Sequence, residues 1–166
     1  MSTPAADPEL LAAACRFAAE AGALPLEWFR SNELDLEHKG DGTPVTAADK
    51  AAEARLRRLI GEFAPEDTIL GEEEGHSPGS GERRWIIDPI DGTKAFTRGV
   101  PLYSTLVAVE DQHGPAVGII ELPALGQRVF AGRGLGCTVV DFHGERPARV
   151  SDTSAIGDAL LCTSGF

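Results

Sequence analysis

The stretch Trp85-Ile86-Ile87-Asp88-Pro89-Ile90-Asp91-Gly92-Thr93 sets two aspartates three positions apart, after an apolar run and before a glycine and a threonine. Glu72, Glu73 and Glu74 stand a short way upstream. Hard divalent ions such as Mg²⁺ take oxygen ligands from carboxylates, backbone carbonyls and water. A strand through Trp85–Ile87 would deliver Asp88 at its end, with Asp91 arriving on the same side. Pro89 fixes φ and removes a donor, so the chain turns stiffly and can aim the Ile90 carbonyl at a cation. Gly92 and Thr93 would leave two unobstructed N–H groups where a helix starts at "TKAF", a place suited to phosphate. Each acid alone reads as a turn former or a cap. The intact order reads as a metal and phosphate site.

Spacing removes three rival motifs. An EF-hand loop opening at Asp88 needs oxygen ligands two and four places on and a glutamate at its twelfth position; Ile90, Gly92 and Gly99 stand there. A haloacid-dehalogenase phosphatase needs an aspartyl nucleophile two residues before the second acid, and Pro89 occupies that place. "GRGLG" at 132–136 lacks the lysine and spacing of a phosphate-binding P-loop and reads as a turn between strands.

The elements that must position these residues follow from periodicity. Residues 7–30 read as a helix, with Asp7 or Thr3 as its cap and Pro25 interrupting it near the end. The stretch 31–44 reads as a loop or short hairpin. A second helix opens at Thr46, where Thr-x-x-Asp is a variant capping box, with Ala51, Ala54, Leu56, Leu59, Ile60 and Phe63 along its buried side and Pro65 ending it. Ile69–Leu70 and Trp85–Ile87 read as strand ends joined by a flexible loop. "STLVAVE" and "AVGIIEL" flank a hairpin turn at "DQHG", and "QRVFAGR" and "CTVVDF" continue the meander. Helices followed by mainly antiparallel strands make an α+β organisation.

The 166 residues suffice for one domain with a real core, and their 42% hydrophobic and 25% charged content is that of a globular protein. No apolar run is long enough for a transmembrane helix, and the start lacks the features of a signal peptide. Cys15, Cys137 and Cys162 are far apart and suit reduced thiols, so a cytoplasmic location is expected. The net charge of −11 argues against nucleic acid as an unaided partner. A small phosphorylated metabolite stays open, because carboxylates that bind cations invert the local field. The remaining polar groups read more plainly. His38, His76, His113 and His143 are expected at the surface, Lys39 in a solvated loop, and Trp85 as core packing beneath the acids.

"GEE" at 71–73, "WIIDPIDGT" at 85–93 and "PVTAAD" at 44–49, in that order, closely resemble the inositol-monophosphatase family of metal-dependent phosphatases. "DPIDGTKAFTRGVPLYSTLVAV", with Lys94 and the Arg98-Gly99-Val100-Pro101 run, is most similar to its histidinol-phosphatase branch. The resemblance implies the front half of the family's layered fold, with two long helices on a large, mainly antiparallel sheet. It implies that Glu72, Asp88, the Ile90 carbonyl and Asp91 ligate Mg²⁺, with Asp91 bridging two ions. Glu72 and Thr93 would position and activate the attacking water, and Asp49 would support an outer metal or its water shell, or serve only as the capping acid. The Gly92 and Thr93 amides would hold phosphate, with Glu72, Ile90 and Asp91 completing the substrate-binding set. Lys39 would be a lid lysine near the phosphate. The full-length family form is expected to be a homodimer.

One departure stands out. In the family a further metal-binding aspartate follows a tryptophan in the C-terminal half, whereas here Phe29 follows Trp28 and Ile86 follows Trp85. Residues 1–155 are accordingly expected to form a metal-binding α+β domain, with 156–166 as the start of a second α/β domain. The implied activity is Mg²⁺-dependent hydrolysis of a phosphate monoester, with L-histidinol phosphate as leading substrate. Inositol monophosphate or another small phosphorylated alcohol or nucleotide is the alternative. A non-catalytic, metal-binding remnant is the reading from another class.

Overall fold

The computed structural model describes residues 3–31, 36–38 and 44–160, with backbone alone at 36–38 and 44–45. Asp7 accepts the Glu9 N–H at 2.8 Å and caps helix α1 (Pro8–Ala23). The expected helix of 7–30 is therefore shorter. Pro25 has no N–H to continue the α-helical ladder, and Leu24–Glu27 tighten into a 3₁₀ turn. Backbone strands β1 (Leu36–His38) and β2 (Pro44–Thr46) pair antiparallel, as a short hairpin would.

Thr46 then caps helix α2 (Ala47–Phe63) through a complete capping box with Asp49. The buried side of α2 is Ala48, Asp49, Ala52, Glu53, Leu56 and Ile60. The expected stripe was displaced: Ala54 is exposed and Ala51 half-buried. Two acids occupy positions that a purely apolar pattern would not assign to a core face.

Eight strands form the main sheet. Parallel strands β3 (Thr68–Gly71) and β5 (Arg84–Asp91) lie side by side, with β4 (His76–Ser77) outside β3. From β5 the sheet continues antiparallel through β6 (Ser104–Asp111), β7 (Gly114–Leu122), β8 (Gln127–Gly132), β9 (Gly136–Asp141) and β10 (Gly144–Pro147). A one-turn helix, α3 (Thr93–Phe96), sits between β5 and β6. The hairpin at 112–113 and the turn at 133–135 fall where expected. Strands β4 and β10 were not anticipated, being two and four residues of polar sequence. The segment between β3 and β5 is also tied down. Gly81 donates to Glu66 O at 2.6 Å, and Asp67 accepts from both Trp85 Nε1 and Arg83 Nε at 2.9 Å.

Both long helices cover one face of the sheet. Ala13, Ala14, Ala18 and Ala21 are fully buried, and such small side chains let α1 lie close to β6 and β7. The core between the layers holds Phe17, Leu56, Ile60, Trp85, Ile87, Val107, Val109, Val117 and Ile119. Burial of this kind stabilises by roughly 1.5–3 kcal/mol for each large apolar side chain. A second cluster, Ala48, Ile90, Phe96 and Tyr103 with Trp28 and Phe29 against it, lies at the end of the sheet where α3 turns. Residues 156–158 form a 3₁₀ turn and 159–160 no strand; 161–166 lie outside the described residues. No helix among the described residues is long and apolar enough to cross a membrane.

Candidate active site

Two aspartates three apart on a regular strand would point to opposite faces. Strand β5 avoids this. It does not stop at Ile87 as expected but runs on through an irregularity, in which Asp88 pairs with Leu106 and Asp91 with Ser104. Three steps on β5 therefore match two on β6, a bulge that returns Asp91 to the face of Asp88. Thr105 fixes it from the neighbouring strand, donating its buried hydroxyl to Pro89 O at 2.8 Å. Asp88 Oδ1 accepts the Ile90 N–H at 3.1 Å, and the Ser104 hydroxyl reaches Asp91 at 3.3 Å.

The parallel register of β3 and β5 sets Gly71 opposite Ile87, so Glu72 emerges beside Asp88. Burial, then a hydrogen bond and repulsion from Glu72, then the charge of Asp91, push the Asp88 carboxyl up to about 8. An all-oxygen set with excess negative charge is the chemistry that a hard divalent cation answers. Among the described residues, no three His, Cys, Asp or Glu side chains already converge as a metal-binding set.

Thr93 donates its hydroxyl to Ile90 O at 3.0 Å. A carbonyl has two lone pairs, so the same oxygen retains capacity for a cation. Gly92, with φ of 90°, makes the turn into α3, and its carbonyl accepts from Ala95 and Phe96 at 2.8 and 3.1 Å. The Thr93 and Lys94 amides precede that first bonded turn. A side chain at 92 would be strained by the positive φ and would press on Leu102 O at 3.2 Å. The helix is a single turn, so its contribution is amide groups and not a long dipole.

Asp49 is the capping acid. Its Oδ2 accepts from Thr46 N at 2.8 Å and Thr46 Oγ1 at 2.6 Å. Burial raises its pKa against the pull of those bonds, and Glu72 pushes in the same direction, which places α2's first turn within electrical reach of the acids. Both bonds from Thr46 end on one carboxylate oxygen, so capping and a second role are compatible.

The packing beneath the acids differs from expectation. Trp85 is fully buried, but in the main core; Ile90, Phe96 and Tyr103 support the Asp88–Thr93 turn. His76, His113 and His143 are exposed as expected, while Lys39, Cys162 and the His38 side chain lie outside the described residues. Sequence reasoning missed Glu53. Its carboxylate is fully buried and accepts the N–H groups of Glu73 and Glu74 at 2.7 and 2.9 Å. The available signal was its place four residues from both Asp49 and Arg57 on one helix.

Comparison with known proteins agrees with this geometry. The chain is 43% identical over 138 residues to a histidinol-phosphatase of Chlorobaculum parvum, covering 83% of this chain and 52% of that protein. It is 44% identical over 126 residues to a histidinol-phosphatase of Mycobacterium tuberculosis, covering 76% and 48%. It thus spans about half the length of these relatives. The extragenic suppressor protein suhB from Bartonella henselae superposes with a TM-score of 0.79 at 28% identity, over 87% of this chain and 55% of that one. A profile of the inositol monophosphatase family matches residues 7–165, and with fold, acidic turn and sequence in agreement, the chain belongs to that family.

Proposed function

We propose that this chain carries the metal-binding and phosphate-binding part of a phosphate-monoester hydrolase that converts L-histidinol phosphate to L-histidinol and phosphate, in the cytoplasm and for histidine biosynthesis. The observation that carries the reading is the bulged turn that gathers Asp88 and Asp91 beside Glu72, directly before the open amides of α3. Similarity to two histidinol-phosphatases supports the substrate.

In this reading residues 1–155 form the metal-binding domain. Asp88, Asp91, Glu72 and the Ile90 carbonyl would hold Mg²⁺. The ion supplies Lewis acidity, which lowers the pKa of water and offsets charge on the phosphoryl group. Glu72 accepts the proton of the attacking water and the Thr93 hydroxyl orients it, while the Gly92 and Thr93 amides fix the phosphate in line. Asp49 holds the outer edge of the site from α2.

A panel of phosphate monoesters, assayed with and without Mg²⁺, tests the proposal. Histidinol phosphate should be hydrolysed fastest, and inositol monophosphate turned over as fast or faster would defeat the substrate assignment. Asp91→Asn should abolish hydrolysis without unfolding the protein, because it removes a charge that would hold the metal. Wild-type turnover in a folded Asp91→Asn protein would end the metal-ligand reading.

A further inference from the structure

A fully buried carboxylate on a helix needs an explanation, because taking a charge out of water costs several kcal/mol even after relaxation. Glu53 meets this cost with a full set of partners. Arg57, one turn further along α2, reaches it at 2.9 Å through Nε and 2.8 Å through its NH2. The backbone N–H groups of Glu73 and Glu74 supply the other two contacts.

Arg57 carries the connection onward. It donates to Gly75 O at 2.6 Å and Ser77 Oγ at 2.8 Å and pairs with the Glu74 carboxylate at 3.4 Å. The Gly71 N–H closes the same loop on Gly75 O at 2.9 Å. A Cβ on residue 71 would lie 2.2 Å from Glu53 Oε1 and 2.6 Å from the Arg57 guanidinium, so the glycine of "GEE" is there to admit this pair. Every backbone neighbour of Glu72 is thus tied to one ion pair on α2, while Glu72 itself stands exposed at the apex.

Stability is a poor account of the pair, since well-packed apolar residues often replace buried ion pairs without loss. Apolar side chains could not accept two amide protons, and the loop would lose its fixed shape. We propose that Glu53, held by Arg57, is a positioning residue that sets Glu72 against Asp88 and so presets the metal site. The inference rests on the proposed role of Glu72 as a metal ligand. Groups that orient metal ligands commonly change metal affinity by about 10–100-fold when removed.

The test measures Mn²⁺ binding to the whole chain by electron paramagnetic resonance, which requires no turnover. Wild type, Glu53→Gln, Glu72→Gln and the double variant are compared, with amide exchange at Glu73 and Glu74 followed by NMR. Glu53→Gln should weaken Mn²⁺ binding about tenfold or more and speed exchange at both amides. In the Glu72→Gln background the same change should have little further effect on binding, because the ligand it positions is gone. Should Glu53→Gln not fold, Arg57→Lys keeps the charge but loses the fork to Gly75 and Ser77; it should weaken binding severalfold. Unchanged Mn²⁺ affinity in these variants, or losses that simply add in the double variant, overturn the positioning role alone. Wild-type affinity in Glu72→Gln overturns the ligand reading and the positioning role with it.

Discussion

Thr93 brings two groups to the turn, and they do different work. Its amide lies at the open start of α3, while its hydroxyl is engaged with the Ile90 carbonyl. It is not the helix cap; Gly92 occupies that position. Losing one hydrogen bond of this kind costs about 0.5–1.5 kcal/mol. A hydroxyl that orients water acts chiefly in the transition state, so its loss should appear in kcat. Thr93→Ala is therefore expected to lower kcat far more than it raises KM, with only a small fall in melting temperature. Unchanged kcat beside a lowered melting temperature would leave Thr93 a structural residue.

At the scale of elements, α2 contributes an acid to the site at its first turn and another one turn later. Asp49 can be separated from its cap by substitution. Both Thr46 bonds end on Oδ2, and one amide oxygen can accept two protons, so Asp49→Asn should keep the capping box. Asp49→Ala removes both hydrogen bonds from Thr46 and should cost about 1–3 kcal/mol of stability. If the carboxylate charge supports the metal, both variants lose activity; an active Asp49→Asn enzyme makes it a cap only. The capping box, the hairpins and the acids of the turn were legible because each is a local pattern. The bulge was not, since it exists only in the pairing of Asp88 and Asp91 with Leu106 and Ser104. Glu53 escaped for a similar reason: its partners lie twenty residues away on the loop beyond β3. Strand β4 is too short to leave a periodic signature and forms because β3 offers it an edge.

Across the whole molecule the helices cover one face of the sheet, and the acids collect where β3 and β5 end and α2 begins. Concentrating negative charge there opposes folding in the absence of a cation. Asp88 makes this measurable. Its ordinary pKa of 3.8 rises to about 8 in the fold, so the folded protein keeps a proton that the unfolded chain releases. Stability from this group is full below about pH 4 and declines as pH rises toward 8. Asp49, also raised, acts in the same direction. Asp141, lowered to about 2 by Arg146, acts oppositely, but its contribution is lost only as pH falls below the ordinary carboxylate range. In a chelator the melting temperature should therefore fall from pH 5 to pH 8. Divalent cations bind deprotonated carboxylates, so added Mg²⁺ should stabilise more at pH 8 than at pH 5 and flatten or reverse the slope. Asp88→Asn should remove most of the slope in chelator. A melting temperature that stays level or rises with pH in chelator would contradict a protonated Asp88 in the metal-free fold.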